Sequence, residues 1–211
     1  MKNSKLLTIF ILMFVFATAF YFYPLVPQQM ASHWNINGEV DGYMSSFWGL
    51  FLMPVLMLAF TLLLFFIPKI DPEKKNIEKF YDEFERFIVV FNLFMLYVYI
   101  LTIFWNIGYN INMIASLMPA FAILFYFCGI LIGKAKRNYM IGIRLPWTLA
   151  SDDVWDKTHK IGEKLFKITA LFVFLGTFFT QYAFALMFIP LIVSIVYLVI
   201  YSYLEYRKIK K

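Results

Sequence analysis

Charge is scarce in this chain. Asp, Glu, Lys and Arg make up 15% of its 211 residues, against about 25% in an ordinary soluble domain. Hydrophobic residues reach 62% and aromatic residues 21%. So little polar surface cannot cover a water-soluble fold of this size, which excludes the common globular classes. Cysteine is almost missing: Cys128 stands alone inside an apolar run, so no intramolecular disulfide can form and nothing indicates an oxidising compartment. Histidine occurs only as His33 and His159. No HExxH, P-loop or GxGxxG pattern is present, and no Cys–His or Ser–His–Asp arrangement offers a nucleophile. The sequence therefore gives no catalytic residue, no cofactor site and no metal site, and it reads as a protein that is not an enzyme.

What is abundant is apolar length. Six runs stand out, near residues 6–23, 47–67, 87–107, 113–133, 165–180 and 183–204. A helix needs about 20 apolar residues to cross the hydrocarbon core, and the fifth run is the shortest, with Lys164 and Lys167 placed to reach back to the headgroups. Apart from Lys167 at the start of the fifth, these runs contain no Asp, Glu, His, Lys or Arg. Proton relays and ion-coupled pumps are built from such residues, so both classes are disfavoured. Asn92 and Asn106 are the main polar groups there and suit hydrogen bonds to neighbouring helices.

The basic residues are all on one side of these runs. Lys2 and Lys5 precede the first, and Arg207, Lys208, Lys210 and Lys211 follow the last. The rest of the 19 Lys and Arg lie between runs two and three or around the junction of runs four and five. The other side has only Glu39 and Asp41 as charges. The positive-inside rule then gives an all-α polytopic membrane protein with six transmembrane helices and both termini cytoplasmic. It also accounts for the net charge of +6, so direct nucleic-acid binding is not expected. The first run has the outline of a signal peptide, with Ala17-Thr18-Ala19 as the small-residue site. Its apolar residues continue to Tyr23, which favours a retained anchor.

Two polar loops interrupt the apolar pattern. The loop after run one contains Pro27, His33, Trp34, Asn35, Asn37, Gly38, Glu39, Asp41 and Gly42. Its turn dipeptides Asn37-Gly38 and Asp41-Gly42 predict a compact hairpin. Asp71-Pro72-Glu73 reads as a helix start leading into run three. The longest polar stretch, residues 136–162, divides in two: an irregular part to Ala150, then a helix capped by Ser151 and Asp152 that runs into the fifth span. Trp147 and Trp155 suit an interfacial belt, with Arg144 near lipid phosphates. His159 is placed for a local contact with Asp156. Gly129 and Gly133 allow close backbone approach, within the molecule sooner than between copies. The chain divides into residues 1–70, a two-span unit with the His/Asp loop, and residues 71–211, a four-span unit with the central motif loop.

At these two loops a family resemblance becomes visible. Arg137-Asn138, Gly142, Arg144, Pro146-Trp147-Thr148, Ser151, Trp155, Lys157 and His159 resemble the motif of the SdpI family, bacterial multi-pass proteins associated with immunity to a secreted killing peptide. The first loop, with His33-Trp34-Asn35, Gly38 and Asp41, resembles the small membrane domain of unknown function that precedes the motif in that family. Ser45-Ser46 departs from it, where the family often has Lys. The resemblance implies a cell-membrane protein that protects its host from a secreted antimicrobial peptide and recruits a soluble transcriptional repressor. His33, Trp34, Asn35, Gly38 and Asp41 would face the toxin, and the motif residues just named would form the inner docking site. The lipid bilayer is the remaining partner. The alternative from the residues alone is a small membrane transporter or membrane enzyme using the polar loops.

Overall fold

The computed structural model describes residues 2–209, with side chains from residue 3. Lys210 and Lys211, two of the basic residues counted above, lie outside the described residues. In chain order the elements are α1 (Lys2–Phe22), β1 (Gln29–Trp34), β2 (Val40–Ser45), α2 (Ser46–Ile70), α3 (Lys74–Glu78), α4 (Tyr81–Asn106), α5 (Met113–Lys134), α6 (Pro146–Leu149), α7 (Asp152–Leu175) and α8 (Ala183–Ile209). A short 3₁₀ turn, Thr180–Tyr182, precedes α8. The all-α polytopic fold read from the sequence is borne out, with one two-stranded antiparallel hairpin added.

The first two long helices each bury one stripe and leave the rest apolar for lipid. On α1 the stripe is Ile11, Val15 and Ala19, and on α2 it is Leu50, Pro54, Met57 and Thr61. Both follow the three-to-four residue spacing of a single helix face. These stripes meet Tyr99 and Ile103 of α4 and Met30 of β1 in one core. A second core joins α5, α7 and α8 through Ile114, Met118, Ala122, Val173, Ala183 and Met187. Helix α4 packs on α5 and links the two. Thr61 and Asn92 hydrogen-bond across α2 and α4 at 3.0 Å, as expected for Asn92.

Among the described residues, five helices are long and apolar enough to cross a membrane: α1, α2, α4, α5 and the α8 segment. The sequence counted a sixth span where α7 lies. Helix α7 differs because charge fills its first half, and its apolar part ends at Gly176, the C-cap. It nevertheless runs antiparallel to α5 along most of that helix. Near its start the Trp155 indole donates to the Ala135 carbonyl, 2.8 Å. At its end a Cβ added to Gly176 would stand 3.1 Å from Met118 Sδ. Between these points Gly129 and Gly133 make room for α7, since a Cβ on Gly133 would fall 2.1 Å from Glu163 Oε2. The small-residue pair thus serves intramolecular packing.

Two boundary differences matter for the sites. Asp71 does not open a continuous helix into α4. The chain forms the short α3, breaks at Lys79–Phe80 and restarts at Tyr81. Helices α4 and α8 also extend beyond the apolar runs and so include Glu85 and Glu205, both buried. Lys5 stands 3.5 Å from Glu85, while Lys157 and Lys208 pair with Glu205. These ion pairs sit at the end of the bundle that carries the basic residues, called the basic end below.

Candidate functional site

Both polar loops are ordered caps, at opposite ends of the bundle. The hairpin closes the end away from the basic residues. Its turn is organised by Asn35, whose side-chain oxygen accepts from the N–H groups of Asn37 (2.9 Å) and Glu39 (3.0 Å). The Asn35 amide also donates to Glu39 Oε2 at 3.0 Å. Gly38 takes φ +80°, a left-handed conformation that glycine reaches without steric cost. His33 Nδ1 and Asp41 Oδ1 form an exposed hydrogen bond across the strands. The Trp34 ring meets Trp105 of α4 edge-on, 5.6 Å between centroids. The structure therefore brings His33 and Asp41 together, gives Asn35 and Gly38 to the turn, and uses Trp34 as an anchor. Glu39 turns to Asn35. Among the described residues no group of three His, Cys, Asp or Glu could hold a metal ion.

The hairpin is docked by a residue that the sequence reading assigned to helix packing. Asn106, at the end of α4, accepts from Ala31 N–H at 2.7 Å and donates to Ala31 C=O at 3.0 Å. Its amide occupies the place of a neighbouring strand.

At the basic end, residues 135–151 form a tightly bonded strap between α5 and α7. Asn138 is its hub. The buried side chain donates to the Lys136 (2.7 Å) and Ile141 (2.8 Å) carbonyls and accepts from the Met140 (2.8 Å) and Ile141 (2.6 Å) N–H groups. Thr148, also buried, donates to the Ile143 carbonyl at 2.7 Å and accepts from Leu145 N–H at 2.8 Å. Pro146 opens α6, where its missing N–H costs nothing. Trp147 donates to Ser202 Oγ of α8 at 2.6 Å. Ser151 caps α7 by accepting from Val154 N–H at 3.4 Å. Arg137 donates to Asp152 at 2.5 Å and to the Leu149 carbonyl at 3.0 Å, and the Asp152 bond, first of all causes, raises its pKa.

Trp155 and His159 fill the centre. The rings stack at 3.9 Å with a 16° tilt, and Trp155 is 0% exposed. It belongs to the core and not to an interfacial belt, because its one donor finds the Ala135 carbonyl inside. His159 does not turn to Asp156. Its Nδ1 lies 2.8 Å from the Trp155 carbonyl, and its Nε2 accepts from Ile143 N–H at 2.9 Å. A backbone N–H can only donate, so Nε2 is bare and the proton is on Nδ1. Both ring nitrogens are satisfied in the neutral form. Burial pushes the His159 pKa down to about 4, against the upward pull of the Trp155 carbonyl and Asp156. Gly142, at φ +121°, lies against this ring: a Cβ there would fall 2.5 Å from His159 Nε2.

The strap is also pinned to the first half of the chain. Asp71, buried, accepts from Tyr139 N–H at 2.9 Å with one oxygen and from Glu73 N–H at 2.7 Å with the other. Asn76 donates to the Arg137 carbonyl at 2.8 Å. Neither contact was read from the sequence. The signal available was Asp71-Pro72, taken as a helix cap when its carboxylate was needed 68 residues away.

Of the proposed docking residues, then, Asn138, Gly142, Trp147, Thr148, Ser151, Trp155 and His159 are engaged inside the strap. Arg144, Pro146 and Lys157 are exposed. The Arg144 guanidinium donates to the Tyr139 carbonyl at 2.6 Å. Lys157 pairs with Asp153 at 2.7 Å and Glu205 at 3.4 Å.

Comparison with known proteins covers both caps. Residues 134–202 match the SdpI/YfhL protein family. Residues 8–58 match a domain of unknown function, DUF1648. The chain is 24% identical over 208 residues to the immunity protein SdpI of Bacillus subtilis (strain 168), a span of 98% of this chain and 98% of that protein. No solved structure matches it. The family resemblance read from the two loops is borne out.

Proposed function

We propose, for a multi-pass membrane protein that carries an SdpI/YfhL segment behind a DUF1648 segment, that it confers immunity to a secreted killing peptide in the cell membrane. The observation that carries this reading is the end-to-end likeness to the Bacillus subtilis immunity protein, which takes in both caps. In this reading the hairpin faces outward and meets the peptide. The basic end faces the cytoplasm, as the distribution of Lys and Arg favours.

The finer part of the proposal is that the strap reports inward by recruiting a soluble repressor. Its support is the division within the motif between internal and exposed residues. Arg144, Tyr139 and Pro146 form the outward surface, while Asp71 and Asn76 tie that surface to the α2–α3 joint. An event at the hairpin can reach the strap along α2, which starts at the hairpin and ends at this joint.

Expression in a sensitive host followed by challenge with the peptide tests immunity, and unchanged killing would overturn it. For recruitment, Arg144→Ala is the informative substitution because it removes an exposed group whose loss leaves the buried bonds in place. Recruitment that survives this substitution would remove Arg144 from the docking surface. Trp155→Ala instead reports on folding of the strap.

A further inference from the structure

The two edges of the hairpin are treated differently. Ser46 N–H donates to the Gln28 carbonyl at 2.9 Å, and Met30 pairs with Met44. Bonded and non-bonded pairs alternate along an antiparallel ladder. The next pair along, Ala31 and Tyr43, is therefore a non-bonded one and turns its N–H and C=O groups outward. On the β1 side those groups are taken by the Asn106 amide. On the β2 side the outward groups of Tyr43 have no hydrogen-bond partner among the described residues. Tyr43 is 63% exposed, and Asp41 and Ser45 on either side are exposed as well. Proteins usually blunt such an edge with Lys or Pro. Val40–Ser45 contains neither.

We infer that the open edge of β2, centred on Tyr43, is a binding site for an extended cationic peptide, which adds to the hairpin as a third strand. The backbone of Tyr43 would supply one donor and one acceptor, as strand addition requires. The charge sign follows from Glu39 and Asp41, the only full charges of this end. Exposed Ile36, Tyr43, Phe47 and Trp48 offer apolar contact beside the edge. A second copy of this chain is a poorer occupant, since it would bring a second acidic hairpin to the same edge. The inference deepens the immunity reading and rests on it for the outward placement of the hairpin.

The test uses the full chain in lipid nanodiscs, panned against a phage-displayed library of random short peptides. Sequences enriched over empty nanodiscs are expected to be rich in Lys and Arg. Tyr43→Val keeps the backbone donor and should retain binding. Tyr43→Pro deletes an N–H that the hairpin itself does not use, and should weaken binding by about tenfold or more. N-methylation of alternate residues in an enriched peptide should weaken binding to the unaltered protein equally, which guards against misfolding of the proline variant. Absence of enrichment, indifference to N-methylation, or pairing of two copies through Tyr43 would overturn the inference. In the killing assay, Tyr43→Pro that protects fully would sink strand addition and leave immunity intact. Loss of protection by the unaltered chain would instead sink immunity.

Discussion

Gly142→Ala should loosen the strap far more than a glycine substitution of equal backbone strain elsewhere. Two costs combine at this position. An L residue at φ +121° costs about 1–2 kcal/mol in backbone strain. The new methyl would fall 2.5 Å from His159 Nε2 and 3.1 Å from Trp155 Cζ2. The ring must then give way, and the half-buried Ile143 N–H loses its acceptor at a further cost of about 1–3 kcal/mol. The combined penalty is about 2–5 kcal/mol. Gly108 provides the control, with φ +98° and nothing within 4 Å of an added Cβ, so Gly108→Ala carries only the strain. The assay is hydrogen exchange by mass spectrometry on both variants in nanodiscs. Peptides covering residues 138–160 of Gly142→Ala should exchange faster by about two powers of ten or more. Peptides around residue 108 of the control should change by about one power of ten. Equal acceleration at the two sites would refute the assignment of the His159 ring as the acceptor that the glycine protects.

Three further outcomes are expected. His159 is held neutral down to about pH 4, below its ordinary value, so the unfolded chain binds the extra proton first. Its contribution is complete above the ordinary value and fades as pH falls toward 4, by about 3 kcal/mol in all; thermal melts should show this acid loss in the parent protein and a flatter profile in His159→Gln. Asn106→Ala strips Ala31 of both its bonds and should speed exchange of the β1 amides, with a local cost of about 1–3 kcal/mol and no change in the strap. Asp71→Ala frees Tyr139 N–H and should make limited trypsin cut sooner at Lys136 and Arg137, whereas Asp82→Ala, on an exposed part of α4, should leave the cleavage rate unchanged.

Much of the fold was legible because its periodicities are local. Ile11, Val15 and Ala19 announce one buried face of α1, and the turn residues from Asn35 to Gly42 announce the hairpin. The span count was harder at α7, where eight Asp, Glu and Lys residues share one helix with an apolar second half. Hydropathy sees the charges, while packing on Gly129 and Gly133 is a property of another helix. The motif residues were also legible as a set, but their jobs were not. Trp155, His159 and Asn138 look the same in a sequence whether they face a partner or a core. What decides is the position of Ala135 C=O, Ile143 N–H and Gly142, each displaced in sequence and brought near only by the strap. Asp71 and Asn106 lay hidden for the same reason, since their partners are 68 and 75 residues distant.

The charged first half of α7 also bears on how the chain enters the bilayer during synthesis. On its own sequence this helix is a poor substrate for membrane insertion, because its uncharged stretch from Ile168 to Leu175 would cover only about 12 Å at the rise of an α-helix. Its resting place beside α5 is shaped by the bare backbone at Gly129 and Gly133, which is synthesised before α7. Helix α8 comes last and closes the other side through Val173, Ala183 and Met187. Biogenesis should therefore follow an order: a chain truncated before Ala183 should leave α7 lying along the membrane surface, and only completion of α8 should draw it in.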